Sequence, residues 1–290
     1  MRRPLILVWL LWLLLVATRS DVEAYQSVID GLSAVAFAQV KALLQDVDNP
    51  NPIAFRDSVL AIYPELLQPY ASAASEVAAE WYTTLRGNAG VTRPFSPILA
   101  PDIPTDQLDA GVRYSLTPLF RPQEFIGADV LSLLAGFTQK MIANQGRDTV
   151  TRSAVADPVR VGYARIPRTG CCAFCGLMAS RGAVYRSEAS AGGVVGRGVD
   201  PESTAGKRGG QGKGVRLRGA QAAGKKFHDH CRCVVAPQFV GGDNEYMKYT
   251  ANTFTELYQQ SVETVKNKDG FAVTDLKSTL ATWRAENGSK

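Results

Sequence analysis

Histidine is almost missing from this chain of 290 residues: there are two, His228 and His230. Catalysis through a Ser-His-Asp or Cys-His arrangement needs a histidine base held beside a nucleophile, so such a site would have to form around one of these two. Cysteine is absent from the first 170 positions and from the last 57, and all five cysteines fall between Cys171 and Cys233. An odd number of clustered cysteines argues against a secreted disulfide scaffold, whose cysteines normally spread through the domain. There is no P-loop and no dinucleotide fingerprint. The run Gly209-Gly-Gln-Gly-Lys-Gly214 lacks the preceding strand and following helix that phosphate binding requires, and reads as a basic loop. No apolar run reaches the roughly 20 residues that span a bilayer comfortably.

The run that comes nearest is Leu5 to Ala17, which follows Arg2 and Arg3 and ends at Thr18-Arg19-Ser20. Residues 1–20 therefore have the layout of a secretory signal or anchor. The competing reading is a start-site artefact, with translation beginning further in, because a helix can start at Ser20-Asp21 with its own N-cap.

What is present is an ordinary globular composition, 46% hydrophobic, with a net charge of +5. The charge is unevenly divided. Residues 21–150 hold 8 basic and 15 acidic groups, whereas residues 151–240 hold 15 basic and 5 acidic. An acidic helical part is thus followed by a basic part able to face nucleic acid or an acidic protein surface.

Helical periodicity is plain from Asp21 to Val47, where Val22, Tyr25, Ile29, Leu32, Ala36, Val40 and Leu43 recur on one face. Asp48-Asn-Pro-Asn-Pro52 should stop that helix. Further helices are expected over 53–62, where Pro64 interrupts, over 71–85 up to Gly87, and over 105–118 and 127–145. Residues 88–105 carry four prolines and read as a loop. Alternation at Val159, Val161 and Tyr163 suggests a short strand. Residues 191–226 contain 11 glycines and 8 basic residues among 36 and no apolar period, the composition of a long mobile loop. Helices are expected again near 245–266 and 274–286. The class is therefore α+β: a mainly helical domain over 21–150, a small zinc-stabilised α+β module over 151–240, and a helical tail over 241–290.

Chemistry concentrates in Cys171-Cys172-Ala-Phe-Cys175 and His228-Asp-His230-Cys231-Arg-Cys233. The two-residue spacing of Cys172 and Cys175 lets backbone amides turn toward sulfurs that share one ion. Thiolates with an imidazole favour zinc over magnesium or calcium. The best set is Cys172, Cys175, His228 and Cys231, with Cys233 the main competitor and Cys171 and His230 lesser ones. Ligation would close the chain across residues 176–227 and add stability to a small core.

The stretch from Val161 through Cys172-Ala-Phe-Cys175-Gly-Leu-Met-Ala-Ser to Tyr185, followed by Phe227-His228-Asp-His-Cys231-Arg-Cys233, resembles the C-terminal module of phage Mu F-like minor capsid proteins. It is most similar to the versions in phages of actinobacteria. That family has a CxxC, then a histidine three residues before a CxC, and Cys172, Cys175, His228, Cys231 and Cys233 fall on this pattern. The resemblance covers about residues 150–240 well and residues 21–150 in general layout. It implies a structural protein of head morphogenesis, located inside the capsid of the virion, with the portal protein and capsid proteins as partners and no small-molecule substrate. Some relatives of this type are fused to a capsid maturation protease, which makes a capsid maturation protease-associated protein an alternative reading; no protease module is visible here, and the apolar N-terminus is atypical.

Two other functions fit parts of the sequence. Asp229-His230 beside a CxxC faintly resembles metal-dependent His-Asn-His nucleases, but no histidine follows His230 to complete such a site. The basic residues Arg197, Lys207, Arg208, Lys213, Arg216, Arg218, Lys225 and Lys226 could neutralise phosphates of packaged DNA. Residues 191–226 contain no aromatic side chain for base stacking, so that contact would be non-specific and salt-sensitive. The DNA contact is compatible with a place in the phage head, whereas the nuclease is the alternative to it, and no catalytic residue is assigned.

Overall fold

The computed structural model describes residues 19–44, 51–120, 127–168, 171–180, 230–239, 245–261, 264–266, 272–274 and 276–287. Four helices build the first part: α1 (Arg19–Leu43), α2 (Pro52–Asn88), α3 (Thr105–Ser115) and α4 (Gly127–Ala156). They lead into strand β1 (Val161–Ile166) and the short helix α5 (Ala173–Ala179). Strand β2 (Val234–Phe239) and helix α6 (Glu245–Ser261) follow. A small hairpin of β3 (Thr264–Lys266) and β4 (Ala272–Thr274) precedes helix α7 (Leu276–Asn287). The described chain is mostly helical with small antiparallel two-stranded sheets, which matches the α+β expectation at that level.

Helix α2 corrects one expectation. Pro64 and Pro69 lie inside it, yet it runs unbroken from Pro52 to Asn88. An interior proline costs about 3 kcal/mol through its lost N–H and its clash with the preceding turn. Here one face is continuously buried across both prolines, through Phe55, Val59, Tyr63, Leu67, Ala71, Ala74 and Ala78. Each large apolar side chain buried contributes about 1.5–3 kcal/mol, enough together to outweigh the defects. Asn51 caps the start, its Oδ1 accepting from the backbone N–H groups of Ile53 and Ala54 at 3.2 and 3.1 Å.

Helix α4 is the centre of the molecule and runs past the end expected for it. Past Ala143 its buried positions are mostly polar or small, namely Gln145, Gly146, Arg147, Thr149, Ser153 and Ala154, with Val150 the one larger apolar residue among them. Those groups are satisfied from outside the helix. Thr149 Oγ1 and Ser153 Oγ accept from the backbone N–H groups of Ala100 and Ile98, both at 2.9 Å. Gln145 Nε2 donates to Pro101 O at 3.1 Å. The proline-rich loop before α3 is thus an extended strap tied along α4.

Tyr63–Thr138, Ser75–Gln145 and Tyr82–Asp157 hydrogen bonds at 2.9, 3.2 and 3.0 Å join α2 to α4 and its C-terminal continuation in matching order, so the two helices run parallel. Gly146 sits where α1 also crosses: a Cβ there would lie 2.6 Å from Tyr25 Oη. Tyr25 in turn stacks on Trp81 with ring centroids 4.0 Å apart.

At the far end of α4, Asp157 is buried and receives Arg86 Nε at 2.8 Å, Arg86 Nη2 at 3.2 Å, Tyr82 Oη at 3.0 Å and the Val159 N–H at 3.0 Å. Burial alone would raise the Asp157 carboxyl pKa, but these donors outweigh it and hold the group below the usual carboxylate range. The anchored turn sends the chain into β1. Strands β1 and β2 pair antiparallel from Val161 opposite Phe239 to Ile166 opposite Val234. Both strands pack into the same hydrophobic core as α1, α2 and α4.

Residues 1–18, residues 191–226, for which a loop is expected, and His228 lie outside the described residues. Among the described residues, no helix is long and apolar enough to cross a membrane.

Candidate metal centre

The register of the small sheet decides where the cysteines go. Ile166 ends β1 directly opposite Val234, the first residue of β2. The segment leaving β1 carries Cys171, Cys172 and Cys175, and the segment entering β2 carries Cys231 and Cys233. Both emerge at the same end of the ladder. Residues 56 apart in sequence therefore meet: Cys175 Sγ and Cys231 Sγ are 3.6 Å apart. Cys233 joins them, and the three sulfurs lie within 4.8 Å of one another. All three residues are buried.

Such an arrangement fits one metal ion. A disulfide needs about 2.05 Å between sulfurs, so the 3.6 Å pair is not bonded. Tetrahedral zinc with bonds of about 2.3 Å sets its sulfurs about 3.8 Å apart, close to the spacing seen. Cys172 stands at the edge of the trio, half-buried at the N-cap of α5, where its Sγ accepts from the Cys175 N–H at 3.4 Å. His230 is exposed and adopts a left-handed backbone, φ 62°, at the turn before Cys231. Of the five expected metal residues, Cys175, Cys231 and Cys233 are thus brought together, Cys172 caps the adjoining helix, and His228 is not among the described residues.

The thiols perturb one another as a crowded donor set should. Hydrogen bonding with Cys172, Cys231 and Cys233, with burial added, raises the Cys175 thiol pKa. The hydrogen bond from Cys175, then that from Cys233, lowers Cys231 below the ordinary thiol range against the effect of burial. For Cys233 the hydrogen bond from Cys175 lowers the pKa, but bonding to Cys231 and burial outweigh it and raise it. Cys171 is pushed up to about 12, first by burial and then by the neighbouring Cys172 and Cys231. The cluster keeps one negative charge easily and resists a second and a third. A divalent cation removes that resistance.

Two arginines complete the surroundings. Arg147, from α4, donates Nε to Cys233 O at 2.8 Å and Nη2 to Cys231 O and Cys233 O, both at 2.7 Å. Its Nη1 donates to Asn144 Oδ1 at 2.8 Å. Arg165, from β1, donates Nη1 to Cys175 Sγ at 3.5 Å. Burial lowers the Arg147 pKa, and attraction to Cys231 and Cys233 opposes that shift. Helix α1 adds outer support. Gln26 Nε2 donates to Ile166 O at 3.3 Å, and Asp30 pairs with Arg168 at 2.8 Å and Arg232 at 3.8 Å.

Sequence reasoning missed both central arginines. The available signal was a charge on an inward face: Arg147 lies one turn from Ala143 and Val150, and Arg165 shares the strand period of Val161 and Tyr163.

A protein-family model described as VG15 protein matches residues 16–261, the span that carries α1 to α6 and all five cysteines. No curated protein and no solved structure matches the chain.

Proposed function

We propose a structural role in the phage head, from the premise that this chain belongs to the phage-associated VG15 protein family. In this reading the protein is a minor capsid protein of the Mu F-like kind. It acts in head morphogenesis near the portal, inside the capsid, with the portal protein and capsid proteins as partners. The carrying observation is the convergence of the Cys172–Cys175 and Cys231–Cys233 segments on one buried point, the same two segments that bear the likeness to the Mu F-like module. The ion they would hold is zinc, in a structural role: it would tie the base of the small sheet to α5. The thiolate-rich donor set suits zinc better than magnesium or calcium.

The reading is non-enzymatic. His230 is exposed at a left-handed turn, and the buried thiols that could serve as nucleophiles are engaged with one another. Basic residues of 191–226 would add a weak, non-specific contact to packaged DNA, released by salt through the counterions it displaces.

The test is particle composition. Purified heads of the phage that encodes this chain are digested and analysed by mass spectrometry, and heads are counted after the gene is disrupted. The expected result is a low-copy head component whose loss reduces filled heads. Heads that lack the protein and assemble normally without it overturn the proposal. Plasmid nicking by the purified protein with magnesium or manganese would favour the nuclease alternative instead.

A further inference from the structure

We infer that the metal centre is a four-thiolate site, with Cys172 completing the buried trio of Cys175, Cys231 and Cys233. This rests on the metal-binding reading above and names its ligand set.

The first argument is where the Cys172 sulfur is held. It accepts the backbone N–H of Cys175, one of the buried trio, at 3.4 Å. An amide aimed at sulfur favours the thiolate, because the charged acceptor makes the stronger hydrogen bond. Such an amide does the same work around bound metal by orienting the ligand and tuning its donor strength. Three of these four sulfurs share one buried point, and the half-buried Cys172 lies beside that trio, tied to it through the Cys175 backbone. A fourth sulfur is therefore at hand, anchored and partly desolvated.

The second argument is charge. A divalent ion with four thiolates carries two negative charges, and burying them in a dry site is costly unless they are offset. Two guanidinium groups reach this cluster, each on a residue 3% exposed. Arg165 donates to Cys175 Sγ, and Arg147 is attracted to Cys231, Cys233 and Cys175. Replacing one thiolate by a neutral imidazole removes a negative charge from a site whose surroundings are already strongly positive.

The test counts sulfurs on the full-length protein. X-ray absorption of the zinc-loaded parent reads the first shell directly, with no variant required. Cobalt substitution reads it independently through sulfur-to-metal charge transfer in the near ultraviolet. The expected shell is four sulfurs. His228→Ala keeps the cobalt spectrum and one bound ion. Cys172→Ser loses about a quarter of the charge-transfer intensity and binds metal at least about tenfold more weakly. A shell of three sulfurs and one nitrogen in the parent overturns the ligand set while leaving the metal site intact. A parent protein that binds no zinc or cobalt overturns both.

Discussion

The guanidinium of Arg147 holds the carbonyl oxygen of Cys233 with two nitrogens at once, Nε at 2.8 Å and Nη2 at 2.7 Å. The two residues are 86 positions apart. Nη2 also reaches Cys231 O at 2.7 Å, so one side chain from the central helix fixes the backbone of the whole Cys-Arg-Cys segment. The cysteine cluster and the helical part are therefore parts of one packed structure.

Replacing Arg147 should damage both. Arg147→Met leaves two buried carbonyls without their donor, at about 1–3 kcal/mol each. The expected result is a stability loss of about 2–6 kcal/mol in denaturant unfolding, with faster loss of bound metal to a chelating dye. Arg147→Lys should fall between the two proteins, because an ammonium group lacks the planar fork. A methionine variant with parental stability and metal retention refutes the role.

Removing the metal should loosen the same region. Chelation is expected to lower the thermal midpoint, by about 2–4 °C for each kcal/mol of metal-linked stability removed from a chain of this size. Cys175→Ser should unfold near the chelated midpoint and should not respond further to chelator. Differential scanning calorimetry with and without added zinc reads both effects.

Acid should act through Asp157. Its folded pKa is depressed, so the stability it contributes is complete above its unfolded value of about 4 and disappears as the pH falls through the lower folded value. Asp157→Asn leaves the buried Arg86 uncompensated, at about 3–5 kcal/mol near neutral pH. Chemical unfolding from pH 7 to pH 2 should show the two proteins far apart at pH 5 and converging only below about pH 4. Equal stability at pH 7 contradicts this.

Gly176 should tolerate no side chain. A Cβ there would stand 2.5 Å from Trp283 Cζ2 and 3.2 Å from Phe254 Cδ1, whose rings stack on each other with centroids 6.3 Å apart. Gly176→Ala is expected to cost about 1–3 kcal/mol through overpacking and to displace α7. A red-shifted tryptophan emission and earlier proteolytic trimming of the C-terminus would report it. Unchanged emission and trimming count against that close approach.

Local pattern alone determined much of this protein. Apolar residues at helical spacing mark α1 and the first half of α4, and the alternation at Val161 and Tyr163 marks β1, because side-chain direction follows backbone period without help from the rest of the chain. The two cysteine segments were also visible in the residue order. Tertiary structure decided what depends on distant partners. It carried α2 through Pro64 and Pro69, because its buried face is continuous where its sequence is interrupted. It extended α4 beyond its apolar stripe, because Thr149 and Ser153 find donors on the proline strap. It made Cys233 a member of the buried trio and set Arg147 and Arg165 around it, because the register of β1 on β2 sets which residues meet at the end of the ladder. Hydrogen bonds and desolvation between residues 84 or 86 positions apart leave no period in the sequence to read.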